Sequence, residues 1–135
     1  VGQIEGLLDT SVLVRYLTND DASLAERAAA IIDNTAHLGI TLVVLLETAF
    51  VLERVYGCPR KDTVDSLLLL LQKENLVALD LSKERVIQAL LLCRPSARVS
   101  YADAFIWAQA RDHHIDRVFT FDARFPTEGI RQVGG

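Results

Sequence analysis

Hydrophobic positions follow two different periods along the chain. Short apolar runs bounded by turn residues predict strands at residues 6–9 (GLLD), 38–42 (LGITL), 76–81 (LVALDL) and 117–120 (RVFT), with a weaker fifth at 130–133. Between them the pattern lengthens to that of helices. Residues 11–17 form a short helix that ends at the turn Asn19-Asp20-Asp21. Ser23 and Glu26 fit a capping box for a helix running to about Asn34. Residues 43–56 are helical in composition and stop at Gly57, a helix terminator. After Pro59, Val64, Leu67, Leu68 and Leu71 recur at i, i+3, i+4 and i+7. Ser82 caps a further helix with Val86, Ala89, Leu90 and Cys93 on one face, and Pro95 stops it. Ser100 and Asp103 fit a capping box for a helix over 100–113.

Strands separated by helices predict an α/β domain with a largely parallel sheet. Such open sheets bind ligands outside the carboxyl ends of their strands, so acids at those ends are the ones to inspect. The 135 residues fit one domain, residues 1–135, without a repeat or linker. Half are hydrophobic and 24% charged, enough for a real core and against disorder. The two cysteines, Cys58 and Cys93, form no CxxC pair and are expected to be reduced core thiols. No run of 18 apolar residues predicts a membrane span, and the first residues lack the layout of a signal peptide; the expected location is the cytoplasm. With 14 basic and 18 acidic residues, the net charge of −4 is no general nucleic-acid footprint. If four carboxylates are committed to a cation, the remaining acids balance the bases, and the local site is positive.

Four acids stand out. Asp9 ends the first strand and Asp122 follows the fourth, while Glu47 and Asp103 sit near helix starts. All have apolar neighbours (LLDTSVL, LLETAF, YADAFIW, FTFDARF), where an unpaired buried carboxylate is costly. Converging acids repel one another and call for a cation between them, and hard oxygen ligands favour Mg²⁺ or Mn²⁺. A metal so held suits phosphodiester hydrolysis. Each acid also has a plainer role: Asp9 as a helix cap, Glu47 as the partner of a buried arginine, Asp103 as the third residue of a capping box, and Asp122 as a turn residue.

The segments LLDTSVLVRYLTNDD from Leu7, LLETAFVLERVYG from Leu45, SYADAFIWAQA from Ser100 and VFTFDARF from Val118 span nearly the whole chain. In this order they resemble PIN-domain ribonucleases, especially the VapC-type toxins of bacterial and archaeal toxin–antitoxin pairs. The resemblance implies a three-layer α/β/α fold around a central, mainly parallel sheet of four to five strands. It also implies metal-binding acids at Asp9, Glu47, Asp103 and Asp122, with Thr120 as the strand-four hydroxyl. Ser11 stands where the family often has Asn, so altered geometry around the first acid is expected. Thr10, Ser11, Ser100 and Thr120 are the expected supporting hydroxyls. An RNA substrate, a cognate antitoxin and a homodimer are implied as partners, and Mg²⁺ or Mn²⁺ as cofactor.

Arg15, Arg54 and Arg124 are the first candidates to grip RNA phosphates, with Arg60, Lys61 and Arg98 also flanking the acid motifs. His37, His113 and His114 lack zinc-ligand spacing with the cysteines, and no GxGxxG or Walker A motif is present. Leu69, Leu70, Ile87 and Leu91 fall off the main apolar helix faces and predict either a deep core or a surface covered by another chain. Three rival readings are a receiver-like signalling module with a metal-binding acidic cluster, a PIN domain in housekeeping RNA processing, and one that binds RNA without cutting. The receiver needs an adjacent acid pair after strand one and a Lys after the last catalytic strand. Asp20-Asp21 lies beyond a helix, and Phe121, Asp122, Ala123 and Arg124 supply no Lys.

Overall fold

A computed structural model describes residues 3–134. Strand β1 (Gly6–Leu7) leads into helices α1 (Thr10–Thr18) and α2 (Ala22–Asn34). Strand β2 (Leu38–Ile40) is followed by α3 (Leu42–Arg54) and α4 (Arg60–Leu71). Strand β3 (Leu76–Ala78), helices α5 (Lys83–Cys93) and α6 (Tyr101–Asp112), and strands β4 (Arg117–Phe119) and β5 (Arg131–Val133) complete the order. All strand pairs are parallel, as expected of an α/β chain. They form two ladders, β1-β2-β3 and β4-β5, instead of one continuous sheet. Each expected strand is shorter than its apolar run, and after β2 the cause is an early helix start. Thr41 leaves the ladder after Ile40 and accepts a hydrogen bond from the Val44 amide, capping α3.

Most helix starts follow from local chemistry. Ser82 caps α5 by accepting from the Arg85 amide, and Ser100 caps α6 by accepting from the Asp103 amide. The cap of α2 is Asp21, which accepts from the Leu24 amide, and not the expected Ser23–Glu26 box. Asp21 lies two residues earlier and satisfies the Leu24 amide, so the helix has already begun and Ser23 falls inside its first turn. Two long-range contacts pin the layers. Asp80 accepts from the Leu42 amide at 2.6 Å, and the Asn75 amide group donates to the Ile32 and Thr35 carbonyls.

The core joins both ladders' helices. On α5, Val86, Ala89, Leu90 and Cys93 are all buried, as the helical period predicts. On α4, Val64, Leu67 and Leu71 are buried together with Leu70, while Leu68 is only half-buried. The surplus leucines therefore divide. Leu70 belongs to the core, Ile87 is half-buried, and Leu69 and Leu91 face solvent. Cys58 and Cys93 are free thiols. Burial pushes the Cys93 thiol up to about 12, so it is an inert core group at neutral pH. Among the described residues, no helix is long and apolar enough to cross a membrane.

Candidate active site

Asp9 directly precedes α1, and its extended backbone lets it cap the helix. Its carboxylate accepts from the Ser11 amide at 3.3 Å and from the Ser11 hydroxyl at 2.8 Å. The Ser11 hydroxyl is the main reason this carboxyl sits below its ordinary pKa. The serine at this place thus orients the first acid directly. Glu47 is exposed on the second turn of α3 and takes no ion pair among the described residues. Asp103 is half-buried in the first turn of α6. Its amide donates to Ser100, but no return bond from its carboxylate to the Ser100 amide is formed among the described residues, so only half of the expected box exists. Asp122 follows β4; its amide donates to the Thr120 hydroxyl, and its carboxylate accepts from the Arg124 amide at 2.9 Å. That amide, and then the Arg124 guanidinium at 3.2 Å, hold the Asp122 carboxyl below the ordinary range.

The apolar neighbours in sequence do not bury these carboxylates. Asp9 and Glu47 are exposed, and Asp103 and Asp122 are half-buried. For Glu47 and Asp103 the reason is geometric: adjacent residues on a helix point in different directions, so an acid beside apolar residues in the chain can still face water. The elements that carry the acids pack in an unbroken series, α1 on α3, α3 on α6 and α6 on β4. Within that series the four carboxylates stand apart. Among the described residues, no three acidic, histidine or cysteine side chains approach closely enough to hold one ion. Local donors hold Asp9 and Asp122 in place, and like charges repel. In donor chemistry the set fits a hard divalent cation, being carboxylates throughout.

The hydroxyls take different roles. Thr120 and Ser100 accept from the amides of Asp122 and Asp103, and Ser11 donates to Asp9. Thr10 is buried and its hydroxyl finds no hydrogen-bond partner among the described residues, as is the case for Thr48, next to Glu47.

The arginines separate as well. Arg15 pairs with Asp20 at 3.0 Å beside the groove between α1 and α2. Arg54 is exposed and stacks over Phe50, with its guanidinium carbon 5.4 Å from the ring centre. Arg60 is turned inward, which corrects its expected place among phosphate-gripping residues. Arg124 and Arg98 line a cleft of about 560 Å³ beside Asp122, between the loop after α5 and the segment after β4. Arg98 adds to the lowering of the Asp122 carboxyl, and Asp103 to the raising of Arg124, so these four charges share one neighbourhood.

Glu53, Tyr101 and Asp80 lie outside the candidates that the sequence motifs offer. Tyr101 donates to Glu53, and Asp80 holds the start of α3. The sequence does carry a signal for Glu53 and its ion-pair partner Arg60: Glu53 is in the last turn of one helix and Arg60 begins the next, each at the end where its charge is disfavoured.

No curated protein matches the chain. A model of the PIN domain family matches residues 6–127, which takes in all four acid motifs and nearly the whole fold. PIN domains are generally nucleases and typically use divalent metal ions. The match gives no support to the receiver-like alternative. With this extent of agreement, the chain belongs to the PIN domain family.

Proposed function

We propose that the protein is a Mg²⁺- or Mn²⁺-dependent endoribonuclease that hydrolyses RNA phosphodiester bonds, acting in the cytoplasm as the toxin of a VapBC-like toxin–antitoxin pair. The observation that carries the reading is the set of four motif acids on contiguous elements of a PIN domain, two of which, Glu47 and Asp103, have no ion-pair partner among the described residues. Two carboxylates without an ion pair among the described residues, on helices that pack together, are available to a hard cation. Asp9, Glu47, Asp103 and Asp122 would hold it. A bound divalent ion supplies Lewis-acid stabilisation of phosphoryl oxygens and makes a water more acidic.

The chain's own residues do the remaining work. Ser11 keeps the Asp9 carboxylate oriented and ionised. Thr120 and the Arg124 amide fix the turn that presents Asp122. Arg98 and Arg124 line the cleft beside it and can meet phosphates of a passing RNA strand. Arg54, exposed on α3, is a further contact candidate. The partner readings rest on apolar surface: Val43 and Phe50 on α3 and Ile106 on the adjoining α6 are exposed, which favours a homodimer, and a basic segment of the antitoxin is expected over the acids.

The test is cleavage of a mixed single-stranded RNA with Mg²⁺, with Mn²⁺ and with EDTA. The expected result is cleavage with either ion and none in EDTA. Full cleavage in EDTA overturns the metal mechanism, and binding without cleavage under all conditions favours an RNA-binding PIN domain instead.

A further inference from the structure

Glu53 and Arg60 occupy the two helix ends where their charges are least welcome. Glu53 is in the last turn of α3, and Arg60 opens α4. A carboxylate is disfavoured at a C-terminus and a cation at an N-terminus, so neither is there for the sake of its own helix. They face each other, with the Arg60 Nε 3.1 Å from Glu53 Oε2 in an ion pair that lacks hydrogen-bond alignment. Their side chains are 16% and 22% exposed, so solvent screens them little.

The same guanidinium reaches three further groups. Its Nη1 donates to the Val99 carbonyl at 2.8 Å and to the Cys93 carbonyl at 3.3 Å. Its carbon stands 4.3 Å from the centre of the Tyr101 ring. The Tyr101 hydroxyl closes the circuit by donating to Glu53 Oε2. Cys93 is the last residue of α5, and Val99 precedes the Ser100 cap of α6. One side chain therefore ties together both ends of the loop over 94–99, the first residue of α6 and the last turn of α3. Glu47 lies on that same α3, and Asp103 in that same first turn of α6.

The geometry points to Arg60 as a positioning residue: with Glu53 and Tyr101 it sets the first turn of α6, carrying Asp103, against the helix that carries Glu47. This rests on the nuclease reading of those two acids. Only arginine has the planar fork that can stack on a ring while donating to two carbonyls and facing a carboxylate, so lysine is no substitute here. By holding the loop over 94–99, Arg60 also places Arg98 at the cleft beside Asp122.

The experiment compares Arg60→Lys, Tyr101→Phe and the parent in the full chain. Tyr101→Phe keeps the ring under the guanidinium and serves if Arg60→Lys folds poorly. Mn²⁺ affinity is titrated without RNA, kcat and KM are measured separately, and amide hydrogen exchange is followed at Asp103 and Ala104. For Arg60→Lys the expected result is Mn²⁺ affinity and kcat each lower by about 10-fold, the low end for groups that support metal ligands. KM should stay near the parent value, and exchange should quicken at Asp103 and Ala104 but not in α2. Tyr101→Phe should move the same quantities in the same direction by less. A lowered melting temperature with parental Mn²⁺ affinity, kcat and exchange overturns the proposal and leaves a structural clamp. A parent that neither binds Mn²⁺ nor cuts RNA removes the nuclease reading instead, and the exchange data then decide whether Arg60 orders α6.

Discussion

Glu47 and Glu53 ride on the same helix, six residues apart, yet the fold treats them in opposite ways. Glu53 is enclosed by Arg60 and Tyr101. Glu47 faces solvent without an ion-pair partner among the described residues. The same contrast separates Tyr101 from Asp103 at the start of α6: the tyrosine is buried and bonded, while the acid is half-buried and takes no ion pair among the described residues. A carboxylate that a fold needs for its own stability is expected to be paired, because desolvating it unpaired is costly. The difference therefore divides acids that hold the protein together from acids left available to something outside the chain.

The contrast predicts the largest stability loss on the enclosed side. Arg60→Ala leaves Glu53 facing a void and frees two carbonyls, so denaturant unfolding should show a loss of about 3 kcal/mol, the low end for breaking a largely buried pair. A value near zero would mean that the clamp is held from elsewhere. Ser100→Ala removes one cap of α6 and should cost about 1 kcal/mol in the same measurement, with much of the cleavage retained.

How much of the fold and site is legible in the sequence depends on range. The caps at Ser82 and Ser100 and the buried face Val86, Ala89, Leu90 and Cys93 are local patterns, and they emerge at their expected places. The same is true of the acid motifs, whose order along the chain carries the family likeness. Asp21 and Ser23 were not separable, because both can accept from first-turn amides and Glu26 suits the later one. Contacts that join distant segments left little trace. The Asp80 bond to the Leu42 amide spans 38 residues, and the Tyr101 bond to Glu53 spans 48. The exposure of Asp9 and Glu47 is not legible from their leucine neighbours, because neighbours in the chain need not share a face in space.

Smaller effects sharpen the open side of the comparison. Arg124→Ala should weaken RNA binding and reduce the slope of log affinity against log salt by about 1, if the guanidinium leaves Asp122 for a phosphate. An unchanged slope would mean that it serves only Asp122. The smallest effect concerns Asp20, whose carboxyl is held below its ordinary value first by the Tyr56 hydroxyl at 2.7 Å and also by Arg15. A carboxylate lowered in this way adds stability above its unfolded pKa and loses it as pH falls through the folded one. Asp20→Asn should therefore melt below the parent at pH 7, and the gap should close as pH drops below about 4. A gap that does not change with pH would assign the effect to packing.

The central claim, that the open carboxylates exist for a cation, is tested most directly at Asp103 by pairing two numbers: melting temperature without metal, and RNA cleavage rate at saturating Mg²⁺. Asparagine keeps the size and one acceptor oxygen but removes the charge. Asp103→Asn should melt near the parent, because Asp103 takes no ion pair among the described residues. It should lose cleavage by more than the roughly 10–100-fold that supporting partners of a metal site are worth. Cleavage as fast as the parent's, with or without a change in melting, would contradict the account and leave Asp103 as a residue of the α6 cap.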